Sequence, residues 1–118
     1  MKTEIVITNN FSKEAKKLLK KYKSLKSELR KLNEELLENP KLGIPIGRNS
    51  YKIRLAVKSK GKGKSGGLRI ITHLEINLQF DEVTNTLFLL SVYDKSETET
   101  ISKNELARIL SKLQINKR

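Results

Sequence analysis

This chain contains no cysteine and no tryptophan, only two prolines, and 13 acidic residues against 25 basic ones. Without cysteine, neither a disulfide framework nor a thiolate metal site can hold the fold, and a reducing compartment is permitted. Apolar runs are short: Met1-Lys2-Thr3-Glu4 leads straight into Ile5-Val6-Ile7, far below the length of a signal core or a membrane span. The expectation is a cytoplasmic protein with no membrane partner. At 118 residues and 36% apolar content, the chain suits one compact domain, 1–118, with little core to spare.

The shortage of acid is local. Between Tyr51 and Thr72 there are seven basic residues and no Asp or Glu, whereas from Asn77 to Arg118 six basic residues meet six acidic ones. With a net charge of +12, the middle of the chain should attract a polyanion.

Patterning outlines an α+β domain. Thr3 to Thr8 reads as a β-branched strand closed by a turn at Asn9-Asn10. Apolar residues then recur in steps of four and three from Phe11 to Leu36, a helical stripe ending at Asn39-Pro40. It forms either one long helix or two folded at Lys23-Ser24. Residues Lys41 to Ser50 read as a loop. Tyr51 to Val57 alternate as a half-buried strand, and Lys58 to Gly67 read as a flexible basic loop. Leu68 to Phe80 form a long alternating strand, Asp81 to Asn85 a turn, and Thr86 to Tyr93 a central strand. Ser102-Lys103-Asn104-Glu105 has capping-box spacing before a last amphipathic helix. The order is strand, helices, three strands, helix.

Strand alternation groups the cations. If the odd residues of the second strand pack on the helices, Lys52 and Arg54 point to the other face. If the even residues from Leu68 pack likewise, Arg69 and His73 join them. Placing Phe88, Leu90 and Val92 on the core side turns Ser91 and Tyr93 the same way, giving one open basic face. Such a face suits metal-free RNA cleavage, in which a 2′-hydroxyl attacks the adjacent phosphate. A lysine crowded by cations has its pKa pushed down, so Lys52 could accept the hydroxyl proton or supply one to the leaving oxygen. Arg54 and Arg69 suit holding the phosphate, and Tyr93 suits stacking on a base. Lys58, Lys60, Lys62 and Lys64 of the loop, with His73, are candidate RNA contacts. The bland alternative is a solvated basic surface, with His73 a merely exposed or hydrogen-bonded side chain. No carboxylate cluster or His spacing suggests a metal, and no cofactor is expected. The K-G-K-G-K-S-G-G run departs from phosphate-loop spacing and leads into no helical pattern.

With those residues set out, the chain resembles the RelE/ParE superfamily of toxins from bacterial toxin-antitoxin pairs, particularly HigB-like and RelE-like members. The likeness runs from F-S-K-E-A-K-K-L-L-K-K-Y through N-P-K-L-G-I-P-I-G and Y-K-I-R-L to K-G-K-G-K-S-G-G-L-R-I-I and L-L-S-V-Y-D-K-S-E. It implies a helical hairpin, hence two helices, packed on one face of a small twisted, mostly antiparallel sheet with a C-terminal helix. It also implies a ribosome-dependent, metal-independent mRNA endoribonuclease that inhibits translation and is neutralised by a cognate antitoxin. Its partners would be the ribosome and mRNA, with a monomer expected when free of antitoxin. Lys52, Arg69 and Lys95 stand at positions like the family's cleavage residues. The chain departs from the family in carrying Arg54 for a second lysine, Lys95 for an arginine, and Ile101 where some members have tyrosine. The same scaffold implies two other readings: a ParE-like inhibitor of DNA gyrase, or a non-catalytic RNA-binding protein.

Overall fold

The computed structural model describes residues 2–61, 66–96 and 101–116, with side chains as far as Leu113. Five strands and three helices follow in the order β1 (Lys2–Ile7), α1 (Asn9–Lys21), α2 (Leu25–Glu38), β2 (Ile44–Gly47), β3 (Ser50–Leu55), β4 (Leu68–Gln79), β5 (Glu82–Asp94) and α3 (Lys103–Asn116). The fold is α+β, with one mixed sheet of strand order β1-β5-β4-β3-β2. β1 lies parallel to β5, and the other neighbours are antiparallel.

The helical stripe divides into two helices for a physical reason. Thr8 caps α1 by accepting a hydrogen bond from the Phe11 amide at 3.2 Å, so Asn9 and Asn10 open the helix rather than forming the expected turn. At its other end Tyr22 leaves helical geometry, at φ −118° and ψ 107°, and its hydroxyl donates to the Asp94 carboxylate at 2.7 Å. That long-range bond turns a weak sequence break into a sharp corner. Both helices then lay their apolar stripes, including Phe11, Leu18, Leu25, Leu32 and Leu36, on Ile53, Leu68, Ile70, Leu74, Leu87, Leu89 and Val92 of the sheet.

A second apolar cluster occupies the opposite face. Ile71, Phe88, Leu90 and Tyr93 pack there against Leu106, Ile109 and Leu113 of α3. Phe88 and Leu90 therefore lie on the side opposite to the one expected, while Val92, Ser91 and Tyr93 lie as expected. The cause is a β-bulge: Thr72 pairs with Leu89 but Ile71 pairs with Ser91, leaving Leu90 as an extra residue in β5. One inserted residue reverses the facing of everything on its N-terminal side. Two large apolar side chains thus reach the second face, and α3 covers them, so that face is not open along its whole length.

Two further differences concern turns. Within the span expected to be loop, Ile44–Gly47 pairs with β3 through a two-residue turn at Arg48 and Asn49, both at φ 55°. Gly43 precedes it at φ +106°, where a Cβ would lie 2.6 Å from the Lys52 carbonyl oxygen. The β4–β5 turn is tighter than expected and uses Phe80 and Asp81, at φ 53° and 62°. Both pairs have the left-handed geometry that fits the twist of a hairpin.

Candidate nucleic-acid interface

The ladder between β3 and β4 places Arg54 directly opposite Arg69, Lys52 opposite Ile71 and Ser50 opposite His73. Across the next ladder Arg69 faces Tyr93. Lys52, Arg54, Arg69, His73 and Tyr93 therefore share the α3 side of the sheet, with paired Cβ atoms roughly 5 Å apart. Like charges directly opposite each other cost stability by themselves, and an anion lying between Arg54 and Arg69 removes that cost.

Accessibility sorts these residues. Arg54 is exposed and Lys52 half-buried, whereas Arg69 is only 3% exposed and its Nη1 donates to the Leu68 carbonyl at 3.2 Å. Lys95 is exposed, just past the end of β5. Tyr93 is buried among the residues that α3 covers, so its ring is not a free stacking platform. Its hydroxyl has no hydrogen-bond partner among the described residues, and Tyr93 helps line a cavity of about 330 Å³ with Asn10, Glu14, Ser91 and Glu105.

His73 stands four residues along β4 from Arg69, about 13 Å at strand spacing. Its Nδ1 lies 3.2 Å from the Ser50 hydroxyl, its Nε2 is 3.5 Å from Glu75, and its ring neighbours Phe88 at 6.3 Å. These contacts make His73 part of the ladder's packing rather than of the cationic group.

The basic loop is anchored at its base. Lys58 to Lys60 form a single 3-10 turn, in which the Lys58 amide donates to Glu28 at 2.7 Å and the Ser59 amide to the Ser24 hydroxyl at 3.0 Å. Lys60 turns inward instead of toward solvent: its ammonium pairs with Asp94, and its side chain is 8% exposed. The same carboxylate accepts from Tyr22 and from the amide and hydroxyl of Ser96, at 3.0 and 2.7 Å. Burial works to raise the Asp94 pKa, but the hydrogen bonds from Lys60, Ser96 and Tyr22 outweigh it and hold the carboxyl well below the usual carboxylate range. Lys58 is exposed, and Lys62 and Lys64 lie outside the described residues.

β2 pairs with β3 only as far as Lys52, so among the described residues the outer edge of β3 beyond that point has no strand beside it. A groove of about 570 Å³ runs along this edge. Glu28, Lys31, Leu32 and Glu35 of α2 border it on one side and residues 52–56 with Lys58 on the other. The alternation of β3 turns Ile53 and Leu55 toward α2 and carries the Lys52 and Arg54 side chains to the α3 side of the same edge. Lys31 was not legible as a site residue, because α2 carries charges all along its exposed side and only the groove singles one out.

Sequence reasoning also missed Glu14. Where β1 ends, the backbone edge of β5 continues without a strand, and α1 supplies the missing partners. Glu14 accepts from the Ser91 hydroxyl at 2.8 Å and the Val92 backbone amide at 3.3 Å, while the Asn10 side-chain Nδ2 donates to the Leu90 carbonyl at 2.8 Å. Burial raises the Glu14 pKa despite these bonds, and the charge of Glu105 adds to the effect. Among the described residues, no three acidic or histidine side chains come together as metal ligands would. No family model matches this chain, and no solved structure matches it.

Proposed function

We propose that this protein is an endoribonuclease toxin of the RelE/ParE kind, acting on mRNA at the ribosome and held in check by a cognate antitoxin. The observation that carries this reading is the pair Lys52 and Arg54 on one face of the edge strand β3, with Arg69 across the ladder from Arg54 and the exposed Lys58 just past the strand's end. A single RNA strand fits such a track because its phosphates meet cations while its 2′-hydroxyls stay accessible. In the reaction, Lys52 takes the proton from the attacking 2′-hydroxyl. Arg54 binds the phosphate and stabilises the negative charge that grows on it. The attack forms a cyclic 2′,3′-phosphate, and the departing 5′-oxygen takes a proton from Lys95. Arg69, buried behind Arg54, adds positive potential from within the sheet. Tyr93 supports Arg69 from the neighbouring strand and has no stacking role.

The test uses Lys52→Ala with Arg54→Ala, because both side chains are at least partly accessible and truncating buried Arg69 would confound activity with folding. Induction of the parent chain should arrest growth and produce new, codon-phased transcript 5′ ends. The double variant should fold normally by circular dichroism and lower both effects at least 100-fold. Growth arrest of undiminished strength in that variant would remove the groove from the mechanism. Arrest by the parent with intact transcripts and a DNA-damage response would point to gyrase instead.

A further inference from the structure

Two apolar features serve neither the core nor the basic groove. The first is the arm formed by the outer part of the β4–β5 hairpin. β3 pairs with β4 only as far as His73, and β1 reaches β5 only as far as Thr84, opposite Asn77, so among the described residues the end of the hairpin, Leu78 to Val83, is held by its own two strands. A two-stranded ribbon of this kind is marginal in water unless something covers it. Its residues are not those of a solvated ribbon: Leu78 and Phe80 are exposed, as is Ile76 just before them, and Phe80, at 95%, sits on the tip in left-handed geometry. A bulky apolar residue at such a position is costly twice over, in backbone strain and in hydration. The tip is also acidic, since Asp81 and Glu82 follow Phe80 and no Lys or Arg occurs from residue 70 to residue 94.

The second feature is a groove of about 480 Å³ at the far end of β1, walled by Ile7, Phe11, Ala15, Leu19 and Leu29. Ile7 and Leu19 are themselves exposed large apolar side chains. Lys16 and Lys20, both exposed, border the same groove. An apolar knob flanked by two carboxylates and an apolar hole bordered by two ammonium groups thus occur on one chain.

They cannot meet within one molecule. Ile7, in the wall of the groove, pairs with Leu89, eight residues along β5 from Asp81. That separates groove and tip by about 26 Å of extended strand. We infer that the arm of one copy docks in the α1–α2 groove of a second copy, Phe80 filling the apolar hole while Asp81 and Glu82 meet Lys16 and Lys20. The contact joins unlike surfaces, so a pair joined by it still has a free hole on one copy and a free knob on the other, and association continues beyond a dimer into a ring or a chain. A net charge of +12 opposes any association, and the acidic tip is the part of the surface able to approach another copy without repulsion.

Sedimentation velocity on the purified full chain tests this. The parent should rise above its monomer mass of 13.5 kDa as concentration increases. Phe80→Ser removes the knob and Leu19→Glu blocks the hole. Each substitution is at an exposed position, and each alone should weaken association at least tenfold with an unchanged circular dichroism spectrum. Mixed in equal amounts, the two variants retain one intact knob and one intact hole between them, so a dimer should return and nothing larger. A parent that stays monomeric up to millimolar concentration overturns the inference. So does undiminished association of Phe80→Ser, or failure of the two folded variants to pair with each other.

Discussion

Asp94 joins three parts of the chain that no local pattern connects: the corner between α1 and α2 through Tyr22, the base of the basic loop through Lys60, and the start of the segment after β5 through Ser96. Replacing it with asparagine keeps the shape but removes the charge that these donors converge on. Hydrogen bonds to a charged group contribute about 1.5–3 kcal/mol, so Asp94→Asn should cost about 2 kcal/mol at neutral pH. The pH dependence follows from the direction of the shift. The folded-state pKa lies below the ordinary value of 3.8, so the stabilisation is complete above that value and is lost as the pH falls below it toward the depressed one. Glu14 acts in the opposite sense. Its folded pKa is raised above 4.5, so its burial as a charge costs stability at neutral pH, and that cost is relieved as the pH falls through the raised value. Thermal melts from pH 7 to pH 2 should therefore show a slight gain on mild acidification and then a steep loss. Asp94→Asn should flatten the steep limb alone, and Glu14→Gln the gain alone. An Asp94→Asn profile parallel to that of the parent would show that the carboxylate is not the group lost in acid.

At the scale of elements, the left-handed turn at Phe80-Asp81 offers a test that needs no knowledge of function. Neither residue is glycine, and the left-handed region costs an ordinary residue about 1–2 kcal/mol, partly offset by the greater unfolded freedom of a glycine put in its place. Asp81→Gly, melted at micromolar concentration, should therefore be more stable than the parent by roughly 0.5–1 kcal/mol. A loss of stability would mean that Asp81 makes a contact outweighing its strain. The same turn explains why its place was misread: with no Asn-Gly or Asp-Gly pair to mark it, the polar run Asp81 to Asn85 was the stronger signal, although Glu82 to Asn85 already belong to β5. β2 was hidden for a related reason, because Pro45 and the flanking glycines read as loop, and proline is tolerated only at an edge such as this one. The helical stripe from Phe11 to Leu36, the alternation of β3 and β4, and the Ser102 cap, where the Glu105 amide donates at 3.0 Å, were legible because each is set by neighbours within a few residues, whereas the corner that divides the stripe depends on the distant Asp94. The bulge at Leu90 was not, since its only trace is a parity error in an unbroken apolar run. That one residue decided whether the cationic face was open or roofed by α3.

Over the whole molecule, charge is divided by region rather than spread. Lysines and arginines crowd the helical hairpin and β3, whereas residues 70–94 carry none, so the acidic arm and the basic body give the elongated 47 Å molecule two electrostatic ends. A polyanion binding such a body has two tracks to choose between: the groove beside β3, or the lysine-rich outer surface of α1 and α2. Salt dependence distinguishes them, because each cation that neutralises a phosphate of a single strand contributes about −0.7 to the slope of log K against log salt. Lys31, Lys52, Arg54 and Lys58 line the groove, so an RNA strand held there should give a slope of roughly −3 from these contacts. Lys52→Ala with Arg54→Ala should bring it to about −1.5, with a loss of affinity that shrinks as salt rises. The matching change on the other track, Lys13→Ala with Lys17→Ala, should leave the slope of groove binding unaltered. If the slope responds instead to the helix lysines and ignores the pair on β3, RNA rides on the hairpin, and the groove's cations need another explanation.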